Sequence, residues 1–199
     1  MWIAHRINTI QEINTVNPET GIEFDVRDSD GKLIVQHDAF SDGVIFADFA
    51  KKIGKRFCIV NIKSEGIETK VLEILEVNNI VDFFLLDCSI PSMNKLTGIG
   101  ENRIAVRFSE LEPVEFVMCW KGKVKWIWVD CFTKHPITKE LSLLFQQAGF
   151  NICLVSPDLH GRPEDIPTIS RWVRNSGIHL NAICTKQHNM SLWGDVIMN

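Results

Sequence analysis

Short runs rich in valine, isoleucine, phenylalanine and tryptophan alternate with amphipathic stretches from one end of this chain to the other. The runs predict strands over residues 2–5, 21–26 with a satellite at 33–37, 57–62, 83–87, 103–108, 126–130, 151–155 and 182–184. Most are apolar throughout, which marks strands covered on both faces, as in a parallel sheet. Helical spacing fills the intervals. Residues 67–79 place Ile67, Val71, Ile74 and Leu75 on one face. Residues 138–148 open at Thr138, a natural N-cap, and close before Gly149. Residues 163–175 carry a proline in the first turn and stop before Gly177, and residues 46–53 stop before Gly54. Strict alternation implies right-handed crossovers and a parallel sheet. Eight repeats predict an α/β fold, a single compact (β/α)8 barrel over residues 1–199, at the short end for that architecture. The competing doubly wound sheet announces itself by a glycine-rich phosphate loop after the first strand. Here no glycine precedes Gly21, and Gly98-x-Gly100 lacks a third member.

Charge and cysteine usage narrow the class of partner. A net charge of −4 gives no basic stripe for nucleic acid. No apolar run approaches the roughly 18 residues that would span a bilayer. Met1-Trp2-Ile3 leads straight into the first strand, so a cytoplasmic protein without a leader is expected. The six cysteines contain no C-x-x-C pair and most lie on or beside predicted strands, which reads as reduced core thiols. Nothing in the composition specifies an oligomeric state.

The strand ends carry the chemistry. In a barrel, side chains at the C-terminal tips of the strands converge on one mouth. The tips supply His5 and Arg6, then Glu23 and Asp25, then His37, Asn61 and Lys63, Asp87, Arg107, Asp130, Asp158 with His160, and Lys186. Taken singly, each has an ordinary structural explanation: Asp130 or Asp158 can cap a helix, and Arg107 or Lys186 can be solvated rim charges. The first group is different in combination. Glu23 and Asp25 lie two apart and so share one face of a strand, where they can hold one divalent cation. Carboxylate oxygens suit a hard ion, Mg²⁺ or Ca²⁺, with Mn²⁺ also compatible. Two histidines beside them can move protons, and Arg6 and Lys63 can donate to phosphate oxygens.

In this order, Ile3-Ala4-His5-Arg6, Ile22-Glu23-Phe24-Asp25-Val26, Asp30-Gly31-Lys32-Leu33-Ile34-Val35-x-His37-Asp38 and Ile62-Lys63 resemble the glycerophosphodiester phosphodiesterases. The ending Leu180-Asn181-Ala182-Ile183-Cys184-Thr185 is similar as well. The resemblance implies a (β/α)8 barrel that hydrolyses a phosphodiester with a bound divalent metal. It implies His5 and His37 as general acid and base, Arg6 and Lys63 on the phosphate, and Glu23 and Asp25 on the metal. Asn61 stands where the family has a third metal carboxylate, so its carbonyl oxygen is the implied ligand, with one negative charge fewer. Asp87, Arg107, Asp130, Asp158, His160 and Lys186 would line the pocket. Two further departures are Ile7, where a glycine is usual, and the short connection after His37-Asp38, where a segment usually shapes the pocket over the substrate's alcohol.

The expected function is cleavage of a small phosphodiester, such as a glycerophosphodiester or a related sugar or polyol diester. Two alternatives stand beside it: a lyase that stops at a cyclic phosphate, and a non-catalytic barrel that binds a phosphorylated ligand. Retention of two proton-transfer groups favours an enzyme. A sugar-phosphate isomerase would want a glycine-rich phosphate site near the last two strands. Residues 155–161 and 185–187 show none.

Overall fold

Each apolar run forms a strand in the computed structural model, which describes residues 1–194 and residue 196. Along the chain these are β1 (Trp2–Ala4), α1 (Ile10–Thr15), β2 (Gly21–Ser29), β3 (Lys32–Val35), β4 (Val44–Ile45), α2 (Phe46–Ile53), β5 (Cys58–Ile62), α3 (Glu68–Val77), β6 (Phe83–Leu86) and α4 (Ile90–Gly98). They continue with β7 (Ala105–Phe108), α5 (Val114–Met118), β8 (Trp126–Val129), α6 (Lys139–Gln147), β9 (Asn151–Val155), α7 (Ile166–Ser176) and β10 (Ala182–Thr185). Short 3-10 turns occupy Pro157–His160, Pro163–Asp165 and Gln187–Trp193. Contacts divide the chain into an N-terminal unit, Ala4–Ile104, and a C-terminal unit built from Met1–Ile3 and the residues from Ala105 onward.

In the N-terminal unit, β2, β5 and β6 run parallel, while β3 folds back on β2 and β4 on β3 as antiparallel neighbours. Asp30 and Gly31 both take positive φ, 47° and 74°, and join β2 to β3 by a two-residue turn. Asp-Gly is favoured there because such a turn needs left-handed residues. The hairpin carries β2 three residues past the expected end at Val26, pairing Val26 with Val35 and Ser29 with Lys32. One face of β2 is held by aromatic packing: the Phe24 ring lies 5.8 Å from Phe46 and 4.9 Å from Phe49, both on α2 and all three fully buried. Glu23 and Asp25 therefore point the other way.

In the C-terminal unit, β7, β8, β9 and β10 lie side by side in that order and parallel. Met1 joins through its carbonyl, which accepts from Ile183 N–H at 3.1 Å. Thr138 caps α6 as expected, its hydroxyl accepting from Leu141 N–H at 3.2 Å. The helix expected over 163–175 is shorter and split. Pro167 has no N–H and fits only a first helical turn, so the α-helix starts at Ile166, after a 3-10 turn at Pro163–Asp165. Gly177, at φ 67°, closes it in the left-handed region. Helix α4 was not among the expected helices, although Ser89 as its cap and Pro91 in its first turn are its start signals. All six cysteines are free; Cys58, Cys131, Cys153 and Cys184 are buried, but Cys119 is exposed, against the core reading. Among the described residues no helix is long and apolar enough to cross a membrane.

Candidate active site

The N-terminal unit brings Glu23, Asp25, Asn61, His5, Arg6 and Lys63 together. Parallel register sets Asp25 beside Asn61, so both side chains leave the sheet on the face that carries Glu23. Glu23 and Asp25 are each 1% exposed. Two successive backbone groups clamp Glu23: Arg6 N–H donates to its Oε2 at 2.7 Å and Ile7 N–H to its carbonyl at 2.8 Å. Arg6 takes the left-handed region at φ 55°, where a non-glycine residue costs about 1 kcal/mol or more. Position 7 itself needs no glycine, and Ile7 turns into the core at 5% exposure. His5 Nε2 stands 3.6 Å from Glu23 Oε2.

Asp25 is ringed by donors. Lys63 Nζ lies 3.3 Å from Oδ1 and Arg6 Nε 3.9 Å from Oδ2. Asn8, which sequence reasoning missed, donates its amide to Oδ2 at 2.9 Å and accepts from Asp25 N–H at 3.0 Å. Lys63 also reaches Asp87 Oδ2 at 3.8 Å, and Asp87 too adopts a left-handed φ, 58°. Asp87 therefore joins the site as the second partner of the lysine. The signal for Asn8 was its place three residues after His5, but a polar residue after a strand tip is too common to single out.

The residues fit a hard divalent cation. Asn61 Nδ2 donates to Glu23 Oε1 at 3.0 Å, which leaves its Oδ1 buried with no hydrogen-bond partner. An orphaned buried carbonyl costs roughly 1–3 kcal/mol. A cation beside Glu23 and Asp25 would satisfy it, and three oxygens of this kind are what Mg²⁺ or Ca²⁺ accepts. Burial, together with the neighbouring Asp25 charge, pushes the Glu23 carboxyl up to about 7. A raised carboxyl stabilises the fold while protonated, below about 4.5, and loses that contribution as pH rises through about 7. In metal-free protein, the melting temperature of the wild type should therefore fall relative to Glu23→Gln between about pH 5 and pH 8. Parallel melting curves for the two proteins across that range would remove Glu23 from this role.

His37 lies just past β3. Gln36 N–H donates to Asp25 O at 3.0 Å, which anchors the strand end beside the carboxylate pair. His37 Nδ1 is 2.8 Å from Asp38 Oδ1, and that hydrogen bond holds the Asp38 carboxyl below its usual range. Arg27 Nη1 donates to His37 O at 2.9 Å. The short connection to β4 is held against the end of β3. Gln36 Nε2 donates to Asp42 O at 2.8 Å, and a Cβ at Gly43 would meet Val35 O at 2.5 Å, so only glycine fits. A cleft of about 520 Å³ results, lined by Arg6, Asn8, Gln36, His37 and Asp38 among others. Arg6 thus faces both the carboxylate pair and His37.

The other expected lining residues form two clusters in the C-terminal unit. Arg107 and His160 both pair with Asp130, so Arg107 is ion-paired rather than a solvated rim charge. Asp158 is buried and lies inside the 3-10 turn Pro157–His160, which has no side-chain cap; it accepts from Thr185 Oγ1, Lys186 N–H and Asn189 Nδ2, at 2.7 Å for the last. Lys186 contributes that backbone N–H and sits exposed.

No protein-family model matches the sequence, and no curated protein matches it. Solved structures do. A glycerophosphoryl diester phosphodiesterase of Parabacteroides distasonis superposes with a TM-score of 0.65 at 12% identity, over 97% of this chain and 85% of its own. A phosphodiesterase of Oleispira antarctica, solved with the product sn-glycerol-3-phosphate, gives 0.69 at 14% identity over 96% of both chains. A protein of Agrobacterium tumefaciens assigned the glycerophosphoryl diester activity gives 0.67 at 12% over 96% of both. The fold is therefore that of these phosphodiesterases, the α/β class of (β/α)8 barrels.

Proposed function

We propose that this chain is a metal-dependent phosphodiesterase acting on a small phosphodiester, such as a glycerophosphodiester or a related sugar or polyol diester. The observation that carries the reading is the buried Glu23–Asp25 pair, flanked by His5, Arg6, Asn61 and Lys63, in a fold shared with phosphodiesterases. The glycerol-3-phosphate held by the Oleispira neighbour supports a phosphate ligand for a site of this kind.

Glu23, Asp25 and the Asn61 carbonyl would hold the cation, Mg²⁺ or Ca²⁺ by their all-oxygen character. When bound, it supplies a Lewis acid that lowers the charge on a phosphate oxygen. The side chains do the rest. Arg6 and Lys63 donate to the phosphate oxygens as negative charge grows there. One histidine of the pair His5 and His37 takes a proton from the attacking oxygen, that of water or of the substrate's neighbouring hydroxyl, and the other gives one to the leaving alkoxide; a cyclic phosphate formed by the second route is then opened by water to the monoester. The cleft of about 520 Å³ lined by Arg6 and His37 has room for the alcohol of a small polar diester.

The test is turnover of glycerophosphodiesters by the purified protein with added Mg²⁺, Ca²⁺ or Mn²⁺, with products resolved by phosphorus NMR. A monoester and free alcohol are expected. A cyclic phosphate as the end product would replace hydrolase with lyase, and tight phosphate-ester binding without turnover would replace both with a binding protein. For the metal, Asn61→Asp should tighten Mg²⁺ binding by restoring the third carboxylate, read by calorimetry. An affinity that stays flat or falls would show that Asn61 is not a ligand.

A further inference from the structure

A second cluster of chemistry-bearing side chains lies in the C-terminal unit, and the phosphodiesterase reading leaves its donor set unused. Asp130 follows β8 directly, Cys131 comes next, and His160 ends the 3-10 turn after β9. Their ligand atoms lie within 4.8 Å of one another. Among the described residues no other trio of histidine, cysteine, aspartate or glutamate does so. Asp130 and Cys131 are buried, and His160 is about a quarter exposed, which leaves a way in from solvent.

We propose that Asp130 Oδ1, Cys131 Sγ and His160 Nε2 form a binding site for a divalent transition metal of the zinc class, separate from the all-oxygen site in the N-terminal unit. The donor types argue for it. A thiolate and an imidazole select Zn²⁺ or Co²⁺ over Mg²⁺ and Ca²⁺, and one sulfur, one nitrogen and one oxygen make three corners of a tetrahedron. The fourth corner is left for water or a ligand atom, as in catalytic rather than structural zinc sites.

The surroundings are already arranged for ligation. Arg107 and Trp128 Nε1, the latter at 3.3 Å, occupy Asp130 Oδ2, so the other oxygen is the one turned toward His160 and Cys131. Cys131 N–H donates to Asp130 Oδ1 at 2.9 Å, and Arg162 grips Cys131 O. Phe132 stands edge-on to the imidazole at 5.1 Å. These contacts fix the carboxylate and the ring in the way that outer partners orient metal ligands. Without metal, the His160 Nε2 to Asp130 Oδ1 hydrogen bond of 2.6 Å and a Cys131 Sγ to Val155 O contact of 3.4 Å satisfy the same atoms. Binding exchanges these for the cation: the thiol proton leaves to solvent, and the Nε2 proton moves to Nδ1 or to solvent. Arg107 stays on Oδ2 and offsets the two anionic ligands.

The test uses the whole chain, stripped with chelator and titrated with Co²⁺. The near-ultraviolet thiolate-to-cobalt charge-transfer absorption should saturate at one equivalent, with tetrahedral visible bands, and Zn²⁺ should bleach both; cobalt taken up by the all-oxygen site adds no such absorption. Cys131→Ser should abolish the charge-transfer absorption, and His160→Gln should weaken Co²⁺ binding by ~10-fold or more. Asp25→Asn should leave the absorption intact, which separates this site from the phosphodiesterase one. Far-ultraviolet circular dichroism checks that each variant is folded; His160→Gln, at a partly exposed position, carries the test if Cys131→Ser does not fold. Folded wild type without a charge-transfer absorption overturns the proposal. So does an absorption that survives Cys131→Ser, since it would come from another thiol, such as exposed Cys119. Phosphodiester turnover with Mg²⁺ should be unchanged in Cys131→Ser, so loss of zinc-class binding and loss of the phosphodiesterase reading remain distinguishable.

Discussion

Replacing His5 or His37 with alanine should each lower phosphodiester turnover by about 10²–10⁴-fold while the protein stays folded. General acid and base groups contribute on that scale because the proton must move as the P–O bonds form and break. His5 stands 3.6 Å from Glu23 and is 17% exposed, so it reaches both the carboxylate pair and solvent. His37 is 35% exposed, paired with Asp38 and open to the cleft, so its loss removes no core contact. Alanine at either position should therefore act on kcat far more than on melting temperature. His135 is a contrast within the same chain. Burial, with Arg162 nearby, pulls it down to about 4, so it is neutral at pH 7 and no proton carrier. Alanine at His135, His179 or His188 should leave turnover within a few-fold of wild type. Near-normal turnover in both His5→Ala and His37→Ala, measured at saturating diester, would end the acid–base assignment.

Phe24→Ala should cost about 3–5 kcal/mol of folding stability. Phe24 is fully buried and packs against the rings of Phe46 and Phe49, so its removal opens a cavity in the core. Against a total of roughly 5–15 kcal/mol for a domain, that loss is large. It also reaches the site, because Glu23 and Asp25 flank Phe24 on the same strand. Urea denaturation should show a lower midpoint with an unchanged slope. A loss under about 1 kcal/mol would mean that α2 repacks and that the aromatic trio does not set the strand's position.

Much of this molecule is local and so was legible along the chain. Strand positions follow from β-branched and aromatic runs, and the N-cap at Thr138 and the stops at Gly54, Gly149 and Gly177 follow from short-range backbone geometry. The shared face of Glu23 and Asp25 needs only the two-residue period of a strand. Where local signals compete they do not decide: two prolines four residues apart admit one helix start or two, and the structure breaks the helix at Ile166. What tertiary structure alone decided is pairing between distant residues. Asn8 meets Asp25 across 17 residues, Asn61 meets Glu23 across 38, and His160 meets Asp130 across 30. No periodicity encodes these partners, because register and chain reversal set them after the strands have formed. The left-handed backbone at Arg6 belongs to the same class, since arginine does not signal it, whereas Asp87 is of a residue type that visits that region more readily. Surrounding contacts, above all the grip of Arg6 N–H on the Glu23 carboxylate, hold conformations that the residues would not choose alone.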